Sequence, residues 1–239
     1  MTKLLLLLIL IFNFSFALDK NPLYITSKSL PKFNQENFSK YVNENKKWLE
    51  NNRIFLTKNQ ELELFLNSPY ERKPINQKAS KGILLVHGLS DSPAYFHDLT
   101  QELVSQGFLV RTILLTGHGS KPADLINVEF KQWENLVKHH IKLLEKEVEN
   151  LWLGGFSTGA NLVTSYALQN EEDISGLLLF SPGFASNQST LLPFSKIGSF
   201  FKTWLFQNDN SKNILRYESL SMNASNLYYQ SLKKVEEGF

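Results

Sequence analysis

The sequence contains no cysteine and carries only a small excess of positive charge, a formal net charge of +2. The absence of cysteine excludes disulfides, thiolate metal sites, a cysteine nucleophile and an N-terminal lipid-modified cysteine. Basic residues are scattered among acidic ones, so the chain lacks the basic patch or stripe that nucleic-acid binding requires. With 42% apolar and 20% charged residues among 239, the composition is that of one globular domain with a full core.

Long apolar runs are also missing, except for a short one near the start. Lys3 precedes the apolar run 4–11, and 15–17 then places small residues at its first and third positions. This order is typical of a signal peptide, here cleaved after Ala17. The run is shorter than the roughly 20 residues that a membrane-spanning helix needs. We therefore expect residues 1–17 to direct export to a periplasm or out of the cell, with an uncleaved N-terminal membrane anchor as the lesser alternative.

Residues 18–80 form a polar N-terminal segment with two predicted elements. Apolar residues at helical spacing predict a helix from Gln35 to Asn51. Leu62, Leu64 and Leu66 alternate with polar residues, which predicts a half-exposed early strand.

From residue 81 to 183, short apolar runs alternate with amphipathic stretches. The unbroken run 83–86 predicts a strand buried on both faces. Three further strands are predicted at 108–115, which Arg111 interrupts, at 151–153 and at 177–180. Helical spacing predicts helices between them, the first capped by Ser92 with Pro93 in its first turn. The alternation predicts an α/β fold, with a mostly parallel sheet and helices on both faces.

Residues 184–239 abandon this alternation. Phe194 to Trp204 show helical spacing, and a second, polar helix is predicted around Leu227 and Leu232. We interpret this segment as the start of a helical cap over the sheet.

One motif carries chemistry. Residues 155–159, Gly-Phe-Ser-Thr-Gly, match G-x-S-x-G where a buried strand ends and a helix begins. That context is typical of a nucleophile elbow, because glycines admit the tight turn and the helix N-terminus favours a developing oxyanion. The alternative is a glycine-rich strand-to-helix turn without chemistry.

A second motif, His87-Gly88-Leu89, follows the first buried strand. An acyl-transfer site needs two donors on the tetrahedral oxygen, and the backbone N–H groups of Leu89 and Thr158 can supply them. Gly88 lets the backbone approach closely. We interpret His87 as a buried residue that orients the loop, because it lies on the oxyanion side of the site, where a general base would be misplaced.

Three segments in this order and separation resemble the α/β-hydrolase fold: Val86-His87-Gly88-Leu89, Gly117-His118-Gly119 and the motif at 155–159. The branch that the chain resembles contains carboxylesterases, monoacylglycerol lipases and serine aminopeptidase-like hydrolases. The resemblance covers residues 80–183 well and 184–235 more loosely, as that branch's helical cap. It implies a catalytic nucleophile, Ser157, and an oxyanion hole formed by Leu89 and Thr158. It also implies four motif-supporting residues: His87, Gly88, Gly155 and Gly159. The turn at 117–119 would border the site, where we favour a structural role.

No histidine follows Ser157, and all five precede it: His87, His97, His118, His139 and His140. In the fold that the chain resembles, the order is nucleophile, acid, histidine. Neither Asp173 nor Asp209 follows a later strand beyond the cap. His140 falls on an apolar helical stripe, which favours a half-buried structural residue, and we expect His139 to be solvated. We therefore expect an incomplete, C-terminally truncated α/β-hydrolase with the start of a helical cap.

Two functions fit these observations. The first is hydrolysis of a carboxylic ester, acylglycerol or lysophospholipid-like, through an acyl-serine intermediate that needs no metal or organic cofactor. Aromatic residues in the cap favour a small acyl-ester or lipid-like substrate, or simply pack the cap: Phe194, Phe200, Phe201 and Trp204. The second is a catalytically inactive fragment that acts, if at all, by binding. A third hypothesis, weak contact of 194–205 with a membrane surface, is limited by its two basic residues, Lys196 and Lys202. The sequence does not indicate an oligomeric state.

Overall fold

A computed structural model describes residues 21–75, 78–184 and 203–238. The helices in these ranges are α1 (Phe38–Asn52), α2 (Gln60–Asn67), α3 (His97–Ser105), α4 (Phe130–Leu144), α5 (Thr158–Ala167) and α6 (Met222–Glu236). The strands are β1 (Tyr70–Arg72), β2 (Lys81–Val86), β3 (Phe108–Ile113), β4 (Asn150–Phe156), β5 (Gly176–Phe180), β6 (Trp204–Phe206) and β7 (Leu220–Ser221). The predicted signal peptide and the stretch 185–202 of the predicted cap lie outside the described residues.

Five strands form one sheet in the order β1-β3-β2-β4-β5. Strand β1 runs antiparallel to β3, and all other neighbours in the sheet are parallel. Parallel neighbours need crossover connections, and α3, α4 and α5 provide them. The predicted α/β class and the mostly parallel sheet are therefore confirmed.

Helices cover both faces of the sheet because alternate residues of each strand point to opposite sides. Leu84, Val86 and Leu153 belong to a core shared with α1, α4, α5 and α6. Ile83 and Leu85 belong to a second core on the other face, with α3. Most side chains that the sheet contributes to these cores are apolar, but β3 also carries the buried Arg111, which pairs with Glu71 and Glu147.

The predicted strand around Leu62–Leu66 is wrong, since this segment is helix α2. The side chain of Asn59 accepts a hydrogen bond from the Leu62 N–H and caps the helix. The residues that face inward are Glu63, Leu64 and Asn67, which lie at helical spacing. The alternation of apolar and polar residues suggested a strand because the most buried side chain of this helix, Glu63, is charged and was counted as exposed.

Two element ends differ from the predictions. The side chain of Ser92 makes no capping hydrogen bond, and a 3-10 turn, Pro93–Phe96, precedes α3. Strand β3 ends at Ile113 rather than at residue 115. There the Tyr41 hydroxyl accepts a hydrogen bond from the Leu114 N–H and donates one to its carbonyl oxygen, at 3.1 Å each. The Tyr41 hydroxyl thus takes the place of a neighbouring strand as the hydrogen-bond partner of the Leu114 backbone.

The C-terminal part contains a small antiparallel pair and one long helix. Trp204 lies in β6, paired with Ser221 of β7, so its predicted place in a helix is wrong. The predicted second helix is present as α6, and it packs against α5. Its Leu227 is fully buried in the core that α5 shares. Among the described helices, none combines the length and the apolar character needed to cross a membrane.

Candidate active site

The turn between β4 and α5 holds Ser157 in a strained conformation, with φ 50° and ψ −116°. A non-glycine residue at positive φ is uncommon, and such strain clusters at functional sites. The Ser157 N–H donates to the Phe180 carbonyl at 2.9 Å, and its own carbonyl accepts from the Asn161 N–H at 3.1 Å. The backbone of the serine is thus fixed on both sides, while its hydroxyl has no hydrogen-bond partner among the described residues.

Two glycines make this turn possible. A Cβ on Gly155 would collide with the backbone of Gly159 and Ala160. A Cβ on Gly159 would collide with the carbonyl groups of Val86 and His87. The start of α5 therefore lies directly against the end of β2, which brings the predicted elbow and the predicted oxyanion loop together.

The backbone N–H groups of Leu89 and Thr158 have no acceptor in the described parts of the chain. Thr158 is buried at the first position of α5, where the helix macrodipole adds partial positive charge. Leu89 follows β2, which is the direct neighbour of β4 in the parallel sheet. Two donors without an acceptor in the described parts of the chain thus follow the carboxyl ends of two neighbouring parallel strands.

His87 makes no hydrogen bond to Ser157. Its Nδ1 lies 2.8 Å from the Gly88 carbonyl, and its Nε2 accepts from the Leu115 N–H at 3.0 Å. Burial lowers the pKa of His87 to about 4, so the ring is neutral. Both nitrogens bind backbone groups, which agrees with a role in orienting the loop.

The other four histidines are also engaged away from Ser157. His118 binds Ser90 and Leu115. His97 packs between two aromatic rings. His140 is fully buried rather than half-buried, and burial lowers its pKa to about 3. His139, expected to be solvated, instead donates from Nε2 to the Gln35 carbonyl at 2.8 Å.

Neither aspartate considered as the acid lies near the serine. Asp173 is in a short turn at the amino end of β5, whereas Ser157 follows the carboxyl end of the parallel strand β4. Asp209 is exposed and accepts from the Asn21 side chain at 3.2 Å.

The structure places one acid beside the elbow that sequence reasoning missed. The carboxylate of Asp91 lies against Gly88. Burial raises the pKa of Asp91 to about 6, against the opposing charge of Arg216. The sequence offers one signal for this residue, namely its position two residues after the proposed oxyanion donor Leu89. Nearby, the exposed ring of Tyr95 stacks on Phe156, with centroids 4.0 Å apart.

Residues 77–229 match the family model described as serine aminopeptidase, S33. The chain belongs to this family. The described residues of this S33 chain contain no group of three or more metal-ligating side chains placed to hold a metal ion.

One curated relative is the thermostable monoacylglycerol lipase of Bacillus sp. (strain H-257), 29% identical over 97 residues. That alignment covers 41% of the S33 chain and 38% of the lipase, well under two thirds of the relative's length.

Solved structures show the same fold. A structure described under the metagenome-derived lipolytic enzymes LipS and LipT aligns with a TM-score of 0.61 at 22% identity, over 71% of this chain and 69% of that one. The monoacylglycerol lipase of Paleococcus ferrophilus aligns with a TM-score of 0.56 at 20% identity, over 71% and 72%. The fold of the S33 chain is therefore that of the α/β-hydrolase lipases and esterases.

Proposed function

We propose that this S33 chain carries the nucleophile and the oxyanion hole of a carboxylic-ester hydrolase. The observation that carries the proposal is the strained Ser157, whose hydroxyl is unpaired among the described residues and whose turn packs against the loop of Leu89. The Oγ of Ser157 attacks the acyl carbonyl, and the carbonyl π electrons move to the oxygen, which the N–H groups of Leu89 and Thr158 stabilise. The Oγ–H proton passes to solvent water, the bond between the acyl carbon and the alcohol oxygen breaks, and the departing alkoxide takes up a proton from water. A further water then attacks the acyl-serine, the bond between the acyl carbon and Oγ breaks, and the acid is released as Ser157 regains a proton.

The proposed substrate is a small acyl ester or a lipid-like ester such as an acylglycerol. The monoacylglycerol lipase relatives support this class. The stacked pair of Tyr95 and Phe156 supplies apolar surface beside the elbow. The proposed chemistry calls on no metal or organic cofactor, and the near-neutral charge supports no nucleic-acid partner.

The base is the missing element. Because all five histidines bind or pack elsewhere, the serine lacks the group that would remove its proton. Loss of this histidine from such sites costs on the order of 10⁶ in turnover and leaves roughly 10³ over water from the oxyanion hole and binding. We therefore expect the chain by itself to be a very slow esterase.

An added base tests the proposal. Hydrolysis of p-nitrophenyl butyrate is measured at increasing imidazole concentration with wild-type protein and with Ser157→Ala. The variant reports the hydrolysis by imidazole alone. We expect imidazole to raise the wild-type rate above that of the variant, with saturation in ester. Identical rates for both proteins at every imidazole concentration would remove Ser157 from the mechanism.

A second candidate function is binding without turnover, favoured by the absence of any hydrogen bond between a histidine and Ser157 in the described residues. An alkylglycerol ether, which cannot be hydrolysed, would then bind equally well to wild type and Ser157→Ala, and neither protein would release acid from the corresponding acylglycerol ester. Serine-dependent turnover by the 239-residue chain excludes this candidate.

We also propose export by the N-terminal segment. The basic residue, the short apolar run and the site at Ala17 support it. N-terminal sequencing of the mature protein from a secreting host tests it, with Leu18 as the expected first residue. A retained N-terminus in the membrane fraction would instead identify an anchor.

A further inference from the structure

The residue after Leu89 is held in an unfavourable conformation by two distant segments. Ser90 has φ 66°, in the left-handed region that non-glycine residues rarely adopt. Its N–H donates to Nε2 of His118 at 3.0 Å. Its carbonyl accepts from the N–H of Tyr217 at 2.8 Å. These two bonds, together with the bond from the Asp91 N–H to the Gly88 carbonyl at 3.2 Å, hold the turn beside the proposed oxyanion donor.

His118 is built to accept that bond. Its Nδ1 lies 3.2 Å from the Leu115 carbonyl, which can only accept, so the ring proton is on Nδ1 and Nε2 is free to accept. The ring is buried against Trp133 and stacks on Tyr217 at an interplanar angle of 8°. Burial and the neighbouring His87 lower the pKa of His118, which keeps the ring neutral.

Tyr217 joins the same two loops from the opposite side. Its hydroxyl donates to the Gly117 carbonyl at 3.1 Å and accepts from the Ser120 N–H at 2.9 Å. Its backbone N–H holds Ser90. One residue of the segment before β7 therefore connects the loop after β3 to the loop after β2.

We infer that His118 and Tyr217 are positioning residues that aim the Leu89 N–H at the reacting carbonyl oxygen, and so couple the segment before β7 to the oxyanion hole. This assignment rests on the proposed function of Leu89. Neither residue is placed to touch the ester. His118 acts on Ser90 through its ring. Tyr217 acts on Ser90 through its backbone N–H, which the Tyr217 hydroxyl holds in place by its bonds to Gly117 and Ser120.

The first test does not depend on activity. In the ¹⁵N-labelled full chain, nuclear magnetic resonance should show His118 with its proton on Nδ1 and a coupling between its Nε2 and the Ser90 amide nitrogen across the hydrogen bond. In His118→Leu, the Ser90 amide should exchange with solvent about ten-fold faster, as expected for one lost hydrogen bond. His118→Gln keeps an acceptor near the position of Nε2 and should restore most of the protection. A proton on Nε2, or equal exchange in all three proteins, would overturn the inference.

The second test uses imidazole-supported ester hydrolysis. Tyr217→Phe removes only the hydroxyl, and Tyr229→Phe on α6 is the matched control. We expect Tyr217→Phe and His118→Leu to lower kcat by roughly ten-fold to 10², up to the loss of one oxyanion donor, with KM unchanged. Unchanged kcat in both variants would overturn the inference. If wild type shows no serine-dependent turnover, the proposed function fails, and the amide exchange then decides the positioning role alone.

Discussion

Glu63 offers the sharpest test of how the N-terminal segment is attached to the hydrolase core. Its side chain is fully buried and pairs with Arg53, which is 5% exposed, at 2.8 Å. The second carboxylate oxygen accepts from the N–H groups of Leu56 and Thr57 at 2.9 and 2.6 Å. Arg53 in turn donates to the carbonyl groups of Gly119 and Ile214, so the pair links α2 to the loops around the site.

Glu63→Ala would leave the Arg53 charge buried without its partner. Breaking a buried pair in this way costs about 3–5 kcal/mol of the free energy of unfolding. For a chain of this size that corresponds to a fall in Tm of roughly 10 °C. Urea unfolding followed by tryptophan fluorescence measures the free energy, and calorimetry measures Tm.

Two further variants separate the charge from other effects. Glu61 is exposed in the first turn of the same helix, so Glu61→Ala should cost less than about 1 kcal/mol, the limit of its interaction with the helix dipole. Arg53→Met combined with Glu63→Leu removes both charges and should be more stable than Glu63→Ala, because no buried charge is left unpaired. The free energies of unfolding of Glu63→Ala and Glu61→Ala can be compared directly, since ordinary surface substitutions differ by less than about 1 kcal/mol. A difference below that value would show that the buried pair does not hold this segment.

Two more predictions concern the elbow and the pH dependence of stability. Gly159→Ala should lower the free energy of unfolding by more than about 4 kcal/mol or prevent folding, because its Cβ would meet backbone atoms that cannot move. Gly183→Ala is the control and should cost less, because its Cβ would meet only the end of the Tyr228 side chain. Equal unfolding midpoints for the two variants would contradict this. The pKa of His140 falls to about 3 from an ordinary value of 6.5, so the unfolded chain binds a proton between these values that the folded chain does not. Stability should therefore be fully present above pH 6.5 and be lost as pH falls, by about 1.4 kcal/mol per unit relative to His140→Phe. Parallel stability curves for the two proteins between pH 6 and 4 would show that this histidine is not buried neutral.

The parallel sheet was predictable because its strands are short, mainly apolar runs separated by amphipathic stretches, although Arg111 interrupts the run of β3. Strands β2 to β5 need no pairing information to be recognised. The short strand β6 cannot be recognised without pairing information, because Trp204 joins a sheet through its partner Ser221. Helix α2 was misassigned for a related reason, because the burial of Glu63 depends on its bonds to Arg53 and to the N–H groups of Leu56 and Thr57.

The candidate site divides in the same way. The turn at Ser157 is encoded locally, by two glycines that its backbone geometry requires. The bonds from His118 and Tyr217 to Ser90 join residues far apart in the chain, and no spacing rule reveals them. Asp91 likewise acquires its raised pKa from burial in the folded chain, which outweighs the lowering effect of the Arg216 charge.

Covalent labelling tests whether the strained hydroxyl of Ser157 is the nucleophile. The 239-residue protein is incubated with a fluorophosphonate, with and without imidazole, and the modified peptide is identified by mass spectrometry. We expect a single adduct on Ser157, formed faster with imidazole and absent from Ser157→Ala. An adduct that survives this substitution, or a Ser157 that stays unmodified at saturating imidazole, would contradict it.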